Sequence, residues 1–354
     1  MNQNLQPLSE PSVFEPNPDE PARFLRVCPV YHETPLTEIH FPSGFRILLK
    51  DETQRMNLGS FKALGGVYAV AKLLSEQWET VSGKKLVPED LLTPDVKKFA
   101  RTVTFVCASA GNHGMAVAAG ARIFGSKARI YLSQEVPDGF EDRLRRQGAD
   151  VERSGDTYEE SVVAAIQDSE KTGAILLADG SWSGYTHPPS LVMEGYTIIA
   201  EELRQSFKAN NVWPTHVFLQ AGVGGLAGAI TYMIRKNWAV QPQIFIVEPD
   251  AAPCLRESHR AGKLVRTEGP VSNMGRLDCK EASVIAHGIL EKSAVTYITV
   301  SDNEALDAAN YLKANDLPTT PSGAAGMAGL KKTLTQNSEH PAFKPLIIVT
   351  EGVI

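Results

Sequence analysis

His216-Val-Phe-Leu-Gln220 runs through Ala221 into Gly222-Val-Gly-Gly225 and on to Leu226-Ala-Gly-Ala-Ile230. A short apolar run ending in a glycine turn, with a second small and apolar stretch directly after it, reads as a buried strand, a tight loop and a helix. That is the building unit of an α/β sheet. The same alternation recurs outward along the chain. Strand candidates lie at 45–49, 102–107, 129–132, 174–177, 244–247, 296–300 and 346–350 besides His216–Gln220 itself. Amphipathic helix patterns fall between them at 60–78, Asn112–Phe124, 158–168, 191–203 and 304–314. No internal repeat is evident, so the expectation is an α/β protein built on largely parallel sheets.

The chain has 354 residues, 43% hydrophobic and 21% charged, enough apolar surface for a sizeable core and for two lobes. Residues 1–40 are rich in Pro, Glu, Asn and Ser without apolar periodicity and read as an extended N-terminal arm. The remainder divides into a large lobe, 41–99 with 191–354, and a smaller lobe inserted at 100–190. A net charge of −6 without a long basic run excludes nucleic acid and anionic membrane as favoured partners and leaves a small molecule. The N-terminus has neither the basic nor the apolar segment of a secretory signal, and no apolar run approaches the about 20 residues of a membrane span. Four cysteines, at 28, 107, 254 and 279, lack metal or disulfide spacing and read as reduced core thiols of a cytoplasmic protein. No metal-ligand cluster stands out.

In sheets of this kind ligands collect beyond the carboxyl ends of strands, where loops meet helix N-termini. Three distinctive segments fall there: Ala108-Ser-Ala-Gly-Asn-His-Gly114, Gln220-Ala-Gly-Val-Gly-Gly225 and Thr350-Glu-Gly352. The glycine loop suits a phosphate, because missing side chains let successive N–H groups converge on the anion while the helix dipole attracts it. It is too short for a dinucleotide fingerprint, which disfavours a nicotinamide-dependent dehydrogenase. Asn112 can cap its helix and also face a ligand. Lys62, two residues past a capping serine, sits where the helix dipole disfavours a cation; this predicts a lowered pKa and a reactive amine. Alone, such a lysine reads first as a solvated surface charge. Phe61, Ala63, Leu64, Gly65 and Gly66 around it suit one that faces inward.

Gly59-Ser-Phe-Lys62, Ala108-Ser-Ala-Gly-Asn-His113 and Gly222-Val-Gly-Gly225 together resemble the fold-type II pyridoxal-phosphate enzymes, the tryptophan synthase β-like group that includes serine and threonine dehydratases. Within it the chain is more similar to diaminopropionate ammonia-lyase, through Lys50-Asp-Glu-Thr-Gln-Arg55, Ser183-Gly-Tyr185, Glu194-Gly-Tyr196, Val247-Glu-Pro249 with Cys254-Leu255, and Met274-Gly-Arg-Leu-Asp-Cys279. The resemblance implies that Lys62 carries pyridoxal 5′-phosphate as a Schiff base, with Phe61 beside it and Asn112 at the ring hydroxyl. The backbone of Gly222, Val223, Gly224, Gly225 and Leu226 would hold the phosphate. Thr350 would stand at the pyridine nitrogen, with Thr320 and Ser322 as rival partners; a hydroxyl there suits elimination better than transamination. Ser109, Ala110 and His113 would line the substrate carboxylate, and Asp179 would bind or protonate the leaving β-amino group.

One departure bears on the substrate. Ammonia-lyases that accept both enantiomers carry Asp where this chain has Ala110, and that Asp is thought to be the base for the D-isomer. The resemblance therefore implies one-sided, L-specific elimination on a small β-substituted amino acid such as 2,3-diaminopropionate, giving pyruvate and ammonia. A serine or threonine dehydratase or a hydroxyaspartate lyase is the alternative. A cofactor-binding sensor without turnover is the alternative outside enzymes. The enzymes resembled pair through the larger lobe, which implies a homodimer.

Overall fold

The computed structural model describes residues 14–17, 19–41, 44–336 and 343–353. Its strands are β1 Leu36–His40, β2 Arg46–Asp51, β3 Thr104–Ala108, β4 Lys127–Leu132, β5 Asp150–Arg153, β6 Ile175–Leu176, β7 His216–Gln220, β8 Gln243–Pro249, β9 Val295–Val300 and β10 Pro345–Val349. Six of them form one sheet in the order β1-β2-β10-β7-β8-β9, and four form a second in the order β5-β4-β3-β6. Every pairing is parallel except β1 against β2. The second sheet is built entirely from chain lying between β2 and β7, so it is an insertion into the first.

Alternation along the central strands divides the core of the larger sheet. Leu48, Val217, Leu219, Ile244, Ile246, Leu346 and Ile348 face one layer with the helices Lys62–Ser82, His187–Asn210 and Gly225–Asn237. Ile47, Leu49, Phe218, Phe245, Val247, Ile347 and Val349 face the other, with Asp302–Lys313 and Pro321–Gln336. Parallel strands covered on both faces need such continuous apolar runs, which is why periodicity finds them. Every strand expected from sequence is present with its ends slightly shifted.

Two strands escape the pattern. β5, Asp-Val-Glu-Arg, and β1, Leu-Thr-Glu-Ile-His, are sheet edges with little buried apolar surface. The segment expected to run extended as an arm also contains a helix, Asp19–Arg26. It has acids in its first turn, arginines in its last, and Phe24 and Leu25 buried. It docks by Phe24 against Tyr68, ring centroids 5.8 Å apart, and by a Lys72–Glu20 ion pair.

A buried ionic network ties this arm to the sheet. Lys50 Nζ lies 2.6 Å from Glu202, and Arg55 reaches Glu52 and Glu202 at 2.7 Å each. Arg55 also donates to Thr34 Oγ1 and to His32 O, and Tyr31 donates to Glu202. Two cations face two carboxylates, so the buried charge is balanced and its lone pairs are satisfied.

Candidate active site

Lys62 opens the helix Lys62–Ser82, and the loop before it is laced to the end of β10. Glu52 N donates to Val349 O at 2.9 Å, Phe61 N to Thr350 O at 3.1 Å, and Gly352 N to Gly59 O at 3.0 Å. The loop passes through left-handed backbone at Met56 (φ 52°), Asn57 (φ 58°) and Gly59 (φ 79°). For a non-glycine residue this conformation costs about 1 kcal/mol or more, and the Arg55 network directly before it holds it in place. Phe61, not the expected Ser60, is the helix cap; Ser60 Oγ, one residue outside it, accepts from Lys62 N at 3.3 Å.

The lysine head group forms an ion pair with Asp179, which follows β6, and both side chains keep roughly a quarter of their surface open, 22% and 25%. The Phe61 and Tyr196 ring centroids stand 5.4 Å and 5.9 Å from Nζ. Burial favours the neutral amine, but the Asp179 carboxylate overrides it and holds Lys62 above the usual lysine range. The lowered pKa expected from the helix N-terminus is therefore corrected. Burial likewise raises Asp179, yet the Lys62 ammonium brings it well below the usual carboxylate range.

His113 is buried, which depresses its pKa and keeps the ring neutral. Its Nε2 donates to Leu177 O at 2.7 Å, so Nδ1 is a bare acceptor with no protein partner. Asn112, the first residue of its helix, donates through Nδ2 to Glu351, while its Oδ1 is also without a partner. Ser109 Oγ accepts from Gly111 N at 3.3 Å, and Ala110 packs on the core beside it. Thr350 is buried and accepts from Gln220 Nε2 at 3.1 Å, which leaves its own proton free. Thr320 donates to Glu351, and Ser322 accepts from Arg276 N at 3.1 Å.

The glycine loop closes this cluster. Gly224 is left-handed at φ 98°, and the helix Gly225–Asn237 starts directly after it. A Cβ on Gly225 would lie 3.7 Å from Tyr196 and 3.9 Å from Asp179 O, so the unsatisfied first-turn N–H groups open beside the lysine pair. A Cβ on Gly222 would meet Cys279 Sγ at 2.9 Å. Tyr196 Oη, Asn112 Oδ1 and His113 Nδ1 are buried polar atoms without partners around one ion-paired lysine and one anion-binding loop. Such a set fits a polar cofactor carrying a phosphate and an aldehyde.

Sequence reasoning passed over four residues here. Glu351 stands beside Thr350 in a motif read only for its hydroxyl. Tyr196 and Cys279 stand in motifs quoted for resemblance alone, and Arg276, in the latter motif, gave no periodic signal. Among the described residues no group of three His, Cys, Asp or Glu could hold a metal, and no helix is long and apolar enough to cross a membrane.

Helices on both faces of mostly parallel sheets, an inward lysine and a glycine loop at a helix start define a pyridoxal-phosphate enzyme. The family profile described as pyridoxal-phosphate dependent enzyme matches residues 27–351, and the chain belongs to that family. Its cofactor is pyridoxal 5′-phosphate. Within the family the chain is similar to diaminopropionate ammonia-lyase of Escherichia coli, at 32% identity over 90% of this chain and 80% of the relative. The Salmonella typhimurium enzyme of that name is 33% identical over 79% and 71%. The solved structure of the Escherichia coli enzyme with an aminoacrylate-PLP azomethine reaction intermediate superposes with a TM-score of 0.81 at 28% identity, covering 98% of this chain and 93% of that one.

Proposed function

We propose that this chain is an ammonia-lyase that removes the β-amino group of 2,3-diaminopropionate by α,β-elimination, giving pyruvate and ammonia. The Lys62–Asp179 pair carries the reading, supported by the similarity to diaminopropionate ammonia-lyases. Lys62 is the residue to which the cofactor aldehyde attaches. Asn112 would hold the ring hydroxyl, residues Gly222 to Leu226 the phosphate, and Thr350, with its uncommitted proton, the pyridine nitrogen. Once bound, the cofactor withdraws the electron pair of the Cα–H bond.

Lys62 takes the α-proton at Nζ when the substrate amine has displaced it. Asp179, a carboxylate at neutral pH, binds the substrate's β-ammonium and favours its charged form, which leaves as ammonia far more readily than a neutral amine does. Ser109 and the amides after it receive the substrate carboxylate, with His113 holding the turn through Leu177. Ala110 offers no second base on the opposite face, which supports preference for the L-isomer.

The lobes are taken as 41–99 with 191–354, and 100–190, with residues 1–40 as the arm; the inserted second sheet supports this division. The protein is read as a homodimer in the cytoplasm, where Cys28, Cys107, Cys254 and Cys279, all unpaired here, would stay reduced. The test is release of pyruvate and ammonia from L-2,3-diaminopropionate by the cofactor-loaded protein, absent in Lys62→Ala. Preferred turnover of L-serine or of a hydroxyaspartate would replace this reading with a dehydratase. No product from any amino acid, with cofactor bound, would replace it with a binding protein.

A further inference from the structure

Two arginines, one from each side of the cleft, converge beside the asparagine loop. Arg276 follows the core residue Met274 in a loop of the large lobe, and its carbonyl oxygen would lie 3.2 Å from a Cβ on Gly222 of the glycine loop. Its side chain crosses toward the small lobe. Arg276 Nη1 would stand 3.1 Å from a Cβ on Gly111, inside the segment Ser109 to His113. Its Cζ is 5.5 Å from the Phe140 ring centroid. Phe140 belongs to the small-lobe helix Asp138–Arg146, and from the next turn Arg143 lays its own guanidinium on the same ring at 6.0 Å.

Neither guanidinium donates a hydrogen bond to another residue among the described ones. Arg276 approaches one carboxylate, Glu351, and only at 3.9 Å. The Glu351 oxygens already accept from Asn112 and Thr320. Lys62 is neutralised by Asp179. Two positive charges thus share one aromatic ring, and the one carboxylate within 4 Å of either, Glu351, is already occupied. Burial and the neighbouring Arg276 push Arg143 below the usual arginine range, the direction like-charge crowding produces. An anion placed between them would remove the repulsion and fill two planar donor forks suited to a carboxylate.

We propose that Arg276 and Arg143 form a two-lobe clamp that completes the binding of the substrate carboxylate at the Ser109–His113 turn, drawing the lobes together over it. This rests on the lyase reading for the substrate's class. The clamp names the group that reads the carboxylate, and Arg276 reaches it close beside Gly111. A substrate without that carboxylate would be discriminated against before any chemistry.

The experiment uses the cofactor-loaded protein and two probes that lack an α-amine and cannot react, 3-hydroxypropionate and 3-hydroxypropionamide, with binding followed by calorimetry. Wild type should bind the acid about tenfold or more tightly than the amide, and Arg276→Gln and Arg143→Gln should each erase most of that preference. Retained absorbance of the bound cofactor shows that a variant is folded, and Arg276→Lys should recover part of the preference. In turnover, KM for 2,3-diaminopropionate should rise about tenfold or more in Arg276→Gln, with kcat changed less. A rise with 2,3-diaminopropionate, as with 3-hydroxyaspartate, assigns the clamp to the α-carboxylate. An unchanged KM for 2,3-diaminopropionate overturns it, even where that for 3-hydroxyaspartate rises. Equal binding of acid and amide by wild type, or an undiminished preference in both Gln variants, overturns the clamp. Wild type that prefers the acid but turns over neither amino acid leaves the clamp standing and removes the lyase reading.

Discussion

Lys62 and Asp179 control each other's protonation. Because burial alone would favour the neutral lysine and Asp179 reverses it, Asp179→Asn should release the Lys62 pKa downward. The pH above which added cofactor attaches to Lys62, followed by its visible absorbance, should then shift to lower values, by on the order of one unit. Turnover of diaminopropionate should nevertheless fall by roughly 10²-fold or more, since the β-ammonium loses its counter-charge. Unchanged rates with diaminopropionate and serine would remove Asp179 from the mechanism. Lys62 was legible in sequence as a reactive lysine by its neighbours and its resemblance. Its protonation state was not, because the carboxylate that sets it lies 117 positions away.

At the scale of elements, the helix that carries Lys62 is placed by glycines at its crossings. A Cβ on Gly65 would stand 2.4 Å from Tyr196 and 2.6 Å from Val192 O, and one on Gly195 would stand 2.7 Å from Gly65 Cα. At the next residue, a Cβ on Gly66 would meet Ala116 at 2.5 Å. The helices Lys62–Ser82, Asn112–Phe124 and His187–Asn210 therefore approach backbone to backbone, bringing lysine, asparagine and Tyr196 to one point. Gly65→Ala should destabilise the protein by roughly 2 kcal/mol or more in denaturant unfolding and weaken cofactor retention as Tyr196 is displaced. Sequence showed the small residues beside Lys62. It could not show that their purpose is a helix crossing, since the partner helix begins more than 100 residues later.

For the molecule as a whole, the Lys50, Glu52, Arg55 and Glu202 network connects the arm, strand β2 of the larger sheet, the helix His187–Asn210 and the loop leading to Lys62. Glu202→Ala leaves Lys50 and Arg55 with one buried carboxylate between them, and should cost on the order of 3–5 kcal/mol by thermal or chemical unfolding. A loss under about 1 kcal/mol would mean that water replaces the carboxylate and the network is not closed. Because the strained turn at Met56 and Asn57 follows Arg55 directly, the same variant should also reduce the fraction of protein that binds cofactor at Lys62.

The alternation of apolar runs with helical patterns was enough to determine an α/β fold, and the resemblance carried by the lysine, asparagine and glycine motifs was enough to name pyridoxal phosphate. Buried parallel strands and phosphate loops impose local composition, so single segments display them. Edge strands β1 and β5 and the helix Asp19–Arg26 bury too little to leave such a mark. The charge state of Lys62, the convergence of Arg276 with Arg143 and the closed network at Arg55 appear only after folding. Each is a balance of burial against a partner from a distant part of the chain, and no local pattern encodes that distance.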